Sequence, residues 1–151
     1  MKQIKLFDPY TDKLEKIAIN KVLESNFWAS GSGGVNVKKF EEKFSKYVNS
    51  KSSVAVNSGT SALNLALSMY DIKNKEVILP SLSFVATANA VVENGGIPKF
   101  VDIDEKTLCI DPKKILNSIS HKTKIILPVH FGGFSSNLTE ITKICKKNKI
   151  N

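Results

Sequence analysis

Arginine is absent from this chain. All 22 basic residues are lysine, set against 14 acidic ones, and the formal net charge is +8. Arginine is the usual bidentate reader of guanine and the planar fork for phosphate, so its absence argues against a nucleic-acid partner despite the charge. The lysines are scattered over expected helix faces and read as solvated surface, with one cluster at Lys143, Lys146, Lys147 and Lys149. Such a surface favours anionic small molecules, nucleotide sugars among them. Cysteine is scarce too. Cys109 and Cys145 have neither metal-ligand nor redox spacing, so no metal site is expected and a reducing cytoplasm is the expected compartment. No apolar run approaches the roughly 20 residues of a membrane span. The start, Met1-Lys2-Gln3-Ile4-Lys5-Leu6-Phe7-Asp8-Pro9, lacks the apolar core of a signal peptide.

What is present is an ordered alternation. Apolar residues at Leu14, Ile17, Ala18, Val22 and Leu23 predict a helix over residues 11–25. Trp28 and the run Gly31-Ser32-Gly33-Gly34 make an irregular link. A second helix is expected over 37–48, with Phe40, Phe44 and Tyr47 or Val48 as core residues. From Ser53 onward, short apolar strands are expected at 53–56, 76–79, 99–103 and 124–129. Helices fit between and after them at 60–70, 84–94, 112–119 and 136–149, the third with Asp111 as N-cap and Pro112 at its first position. Strands alternating with helices of about ten residues indicate an α/β fold with a mostly parallel sheet flanked by helices on both faces.

In such sheets the ligand crevice lies beyond the carboxyl ends of the strands. Polar and aromatic residues fall there: Asn57-Ser58-Gly59-Thr60, Ser81-Leu82-Ser83-Phe84, Asp102-Ile103-Asp104 and His130-Phe131-Gly132-Gly133. The first group opens a helix. Its unpaired N–H groups, the open backbone at Gly59 and the Thr60 and Ser61 hydroxyls could hold a phosphate. An ordinary N-capped helix is the plainer reading of the same residues. By pattern alone Phe84 is a core residue and His130 a structural, hydrogen-bonded histidine. Asp102 and Asp104 read as strand-end and turn residues rather than an acid/base pair.

The segments Phe27-Trp28-Ala29-Ser30-Gly31, Val37-Lys38-Lys39-Phe40-Glu41, Val54-Ala55-Val56-Asn57-Ser58-Gly59-Thr60-Ser61-Ala62-Leu63, Glu76-Val77-Ile78-Leu79-Pro80-Ser81-Leu82-Ser83-Phe84, Gly96-Ile97-Pro98-Lys99-Phe100-Val101-Asp102-Ile103-Asp104 and Thr123-Lys124-Ile125-Ile126-Leu127-Pro128-Val129-His130 run in order through most of the chain. As an ordered set they resemble the DegT/DnrJ/StrS family of sugar-nucleotide aminotransferases, which depend on pyridoxal 5′-phosphate (PLP). The resemblance implies the type I aminotransferase fold, with residues 1–35 as an N-terminal helix and link and 36–151 as the N-terminal part of the PLP-binding large domain. It places Gly59, Thr60 and Ser61 at the PLP phosphate, Phe84 on the pyridine ring and His130 near the cofactor. It also implies amination of a nucleotide-linked keto-sugar, an amino donor that is commonly glutamate, and a homodimer.

The family's catalytic lysine, which holds PLP as a Schiff base, is expected beyond Asn151, as is the aspartate that pairs with the pyridine nitrogen. No catalytic residue is therefore assigned within residues 1–151, which read as the N-terminal portion of a longer enzyme and are expected to be inactive alone. Two other readings stand beside this one. The dehydratase branch of the same family replaces the lysine, and a non-catalytic phosphate- or nucleotide-binding α/β module needs only the Gly59–Ser61 cradle.

Overall fold

The computed structural model describes residues 8–28 and 34–151. They fall into two compact units, one ending at Ala55 and the other spanning Val56–Asn151. In the first unit, helix α1 (Lys13–Glu24) starts at a capping box: Asp12 accepts from the Leu14 N–H at 2.6 Å and Glu15 accepts from the Asp12 N–H at 2.7 Å. Helix α2 (Val35–Tyr47) follows Gly34. Neither helix buries a residue, so Phe40 and Phe44 are exposed rather than core. Among the described residues this unit has no sheet, and so no second apolar layer to close over those faces. Most of the glycine-rich link lies outside the described residues.

The strand expected at 53–56 does not form; the segment is irregular. A strand needs a neighbour for its ladder, and among the described residues none pairs with it. The side chain of Glu41 serves instead, accepting from the Ala55 N–H at 2.8 Å, while the Ser53 hydroxyl donates to the Glu41 carbonyl.

The second unit runs α3 (Gly59–Ser68), β1 (Glu76–Pro80), α4 (Val85–Glu93), β2 (Ile97–Val101), α5 (Pro112–Ser118), β3 (Thr123–Ile126), a 3-10 turn (Phe131–Gly133) and α6 (Leu138–Asn148). The sheet has order β2-β1-β3 and both pairings are parallel. Pro98 sits in β2, an edge strand, where a missing N–H is tolerated. β3 ends earlier than its apolar run suggests. Leu127 still donates to the Ile78 carbonyl, but Pro128 has no N–H to continue the ladder. Asn151 joins the far side of β3, donating to the Lys124 carbonyl and accepting from the Ile126 N–H.

The two-residue period of the strands divides their side chains between two cores. Ile78 and Ile126 face one way, packing with Ile110 and Ile115 and with Ile141 and Ile144 of α6. Val77 and Ile125 face the other, against Leu67 of α3 and Ala90 and Val91 of α4. The unit is thus a parallel sheet between two helical layers, as the sequence indicated.

Candidate functional site

The topology points to one place. From β1 the chain steps to β2 through α4 on one face of the sheet. It then crosses back past β1 to β3 through α5 on the other face. The direction of winding reverses between β1 and β3, and in open α/β sheets the crevice beyond the carboxyl ends at such a reversal is where ligands bind. Phe84 follows β1, and His130 follows β3. α3 packs beside α4 and leads into the amino end of β1, so its own N-terminus points toward the carboxyl side.

At that N-terminus the cap is closed among neighbours. Ser58 Oγ accepts from the Ser61 N–H at 3.1 Å, and the Ser61 hydroxyl donates to Asn57 Oδ1 at 2.7 Å. Among the described residues, the N–H groups of Gly59 and Thr60 and the Thr60 hydroxyl have no partner. A Cβ added at Gly59 would meet nothing within 4 Å, so the backbone there stands open. Two free N–H groups at the positive end of a helix dipole suit an anion. The donors left at Gly59 and Thr60 are of the kind a phosphate group takes. Ser61 differs from the expectation in detail, since its hydroxyl is engaged with Asn57 and holds the cap's shape. The part played by Asn57 had no signal in the sequence beyond its place before Ser58.

Phe84 is the N-cap of α4 and is 77% exposed, so the core reading from pattern alone does not hold. A bare aromatic face at a strand end is available for stacking on a planar ring. His130 is also exposed. Its Nδ1 accepts from the Ser136 N–H at 3.0 Å, and the buried Ser136 donates its hydroxyl to the Val129 carbonyl. Gly132 and Gly133, both at positive φ, turn the chain back so that Ser136 can reach the ring.

Asp102 and Asp104 are placed as strand-end and turn residues. Asp102 pairs with Lys114 at 2.7 Å, and that hydrogen bond, then the one from the Ile103 N–H, holds its carboxyl below the usual range. Asp104 accepts from the Thr107 N–H, the Thr107 hydroxyl and the Lys106 N–H, which likewise lowers its carboxyl. Neither is poised to carry a proton near neutral pH. Among the described residues no cluster of His, Cys, Asp or Glu could hold a metal ion, and no helix is long and apolar enough to cross a membrane.

The profile of the DegT/DnrJ/EryC1/StrS aminotransferase family matches residues 9–151. The chain belongs to this family. Its relatives include the dTDP-3-amino-3,6-dideoxy-alpha-D-galactopyranose transaminase of Aneurinibacillus thermoaerophilus, 40% identical over 134 residues, which are 88% of this chain and 36% of that protein. Among solved structures, Helicobacter pylori PseC, an aminotransferase of pseudoaminic acid biosynthesis, superposes with a TM-score of 0.89 at 31% identity, over 99% of this chain and 40% of that one. The E. coli GDP-4-keto-6-deoxy-D-mannose-3-dehydratase, solved with hydrated PLP, gives 0.85 at 34% identity, over 96% and 38%. The chain thus spans little more than a third of the length of the relatives it matches. The fold is that of the PLP-dependent aminotransferases, and PLP or its amine form is bound in relatives of both branches.

Proposed function

We propose that this chain forms the cofactor-phosphate and ring-stacking part of a PLP-dependent enzyme that aminates a nucleotide-linked keto-sugar. The observation that carries the reading is the cap of α3, where Asn57, Ser58 and Ser61 satisfy one another and leave Gly59 and Thr60 free to donate. When bound, PLP supplies the electron sink for transfer of an amino group. The N–H groups of Gly59 and Thr60 and the Thr60 hydroxyl hold its phosphate. Phe84 covers one face of its ring and keeps water from it. His130 lines the crevice from the β3 side. Glutamate is the expected amino donor, the expected assembly is a homodimer, and the cytoplasm is the expected compartment.

The second reading is sugar dehydration, favoured by the likeness to the E. coli dehydratase. One experiment separates them. The whole enzyme of which this chain forms a part is loaded with PLP and given a nucleotide-linked 4-keto-6-deoxy sugar with glutamate labelled in its amino nitrogen. Label in the sugar product supports amination; loss of a hydroxyl without label supports dehydration. Failure to take up PLP would leave the phosphate- or nucleotide-binding module as the better reading.

A further inference from the structure

His130 is exposed and Ser136 is buried, yet the two are joined. The Ser136 N–H donates to His130 Nδ1 at 3.0 Å. A backbone N–H is always a donor, so this bond requires Nδ1 to carry a lone pair. The neutral ring then has its proton on Nε2, on the edge of the imidazole turned away from Ser136. The serine hydroxyl lies 3.3 Å from Nδ1, and its own better contact is donation to the Val129 carbonyl at 3.0 Å. Oγ thereby ties residue 136 to the backbone immediately before His130. The intervening turn is closed by the Gly133 N–H donating to the His130 carbonyl at 3.1 Å and the Phe134 N–H donating to the Phe131 carbonyl at 3.0 Å. The device is a six-residue loop that fixes one nitrogen of a histidine from inside the fold.

We propose that Ser136 is a positioning residue that holds His130 as a neutral Nε2–H donor, so that His130 gives a hydrogen bond to an acceptor oxygen of the ligand and does not serve as its base. The ligand part of this rests on the proposed PLP site. The positioning part stands on the loop alone. A base would need its lone pair on the exposed nitrogen; here the lone pair is spent on Ser136. The oxygen acceptors of PLP, on its phosphate and its ring, are of the class such a donor serves.

Two measurements test it. The first is made without cofactor, by nitrogen-15 NMR of the imidazoles at a pH where both rings are neutral. The chain has two histidines, and His121, exposed and without a hydrogen-bond partner among the described residues, is an internal reference. His130 should show a bare, hydrogen-bonded Nδ1 and a protonated Nε2 to a greater extent than His121. Ser136→Ala should move it toward the His121 pattern, and Ser136→Thr should restore it. A parent His130 that matches His121, or that carries its proton on Nδ1, overturns the proposal. An unchanged pattern in Ser136→Ala removes Ser136 from it.

The second measurement is PLP affinity in His130 variants of the whole enzyme of which this chain forms a part. Gln places an amide donor near the Nε2 position, whereas Asn reaches only the Nδ1 position. His130→Gln should keep near-parental affinity, and His130→Asn should lose roughly 10- to 150-fold, the worth of one hydrogen bond to a charged group. Equal loss in both, or none in either, rejects the donor role. If the parent itself takes up no PLP, the proposed function fails and with it the donor role, while the NMR result still decides the positioning role.

Discussion

Thr60 bears the most direct test at the scale of a single residue. Thr60→Val keeps the shape and removes one donor from the proposed phosphate site. A hydrogen bond to a charged group contributes about 1.5–3 kcal/mol, so PLP affinity should fall roughly 10- to 150-fold, read by titration of the cofactor's absorption. Phe84→Leu should differ in kind. It removes the flat face and should disturb the cofactor's absorption band and the rate of transfer as well as binding; an unchanged band would put the ring elsewhere. These two residues were unequally legible. A small polar run opening a helix allows an anion site by its own chemistry, beside the plainer reading of an ordinary cap. A phenylalanine after a strand announces a core, and only the family resemblance set Phe84 apart before its exposure was seen. His130 was visible as a strand-end residue, but Ser136 was not, because a serine six positions on has no pattern until two glycines at positive φ fold it back.

Among elements, the α4–β2 connection is closely packed at Gly96. A Cβ on Gly96 would lie 2.9 Å from Val91 Cγ1 and 3.1 Å from Ile72 Cδ1, and both neighbours are buried. Gly96→Ala should therefore overpack that core and cost about 1–3 kcal/mol, seen as a lower denaturant midpoint with cofactor contacts untouched. Elements that satisfy their own needs were read well. The helices came out within a few residues because periodicity and a cap such as Asp111 are local. β1 was legible because a buried parallel strand is a continuous apolar run, whereas the edge strand β2 is only partly buried and begins at Ile97, ahead of the expected 99–103. The segment 53–56 is also a short apolar run and fails as a strand, since pairing depends on a partner that composition cannot reveal. Likewise the aromatics of α2 have a core pattern without a core.

At the scale of the whole unit, one network ties the amino edge of the sheet. Glu76 of β1 accepts from Lys99 of β2 at 3.1 Å, from the Ser120 hydroxyl at 2.6 Å and from the Thr123 hydroxyl of β3 at 3.0 Å. The bond from Ser120 is the largest reason its carboxyl is held below the usual 4.5, with Lys99 and Thr123 adding to it and partial burial opposing. A carboxylate with a lowered folded value stabilises the fold above its unfolded value, and that contribution is lost as pH falls through the lower, folded one. Stability should thus decline below about pH 4.5. Glu76→Gln should be less stable at neutral pH by about 1–2 kcal/mol and should show a shallower acid decline, measured by urea unfolding across pH. An acid slope equal to the parent's would mean that the other lowered carboxylates, Asp102 and Asp104, account for it.

The central place of β1 also sets an order of events. β1 meets β2 in a register that joins Glu76 to Ile97, a short span of chain closed by α4, but meets β3 only across the much longer path from Glu76 to Thr123. Closing the shorter loop costs less chain entropy. The β1-α4-β2 unit should therefore assemble first and serve as the template on which β3, and then Asn151 beside it, add one after another. In pulse-labelling hydrogen exchange during refolding, the amides of the β1–β2 ladder should gain protection before those of Leu127 and Asn151. Simultaneous protection would mean the sheet forms in a single step.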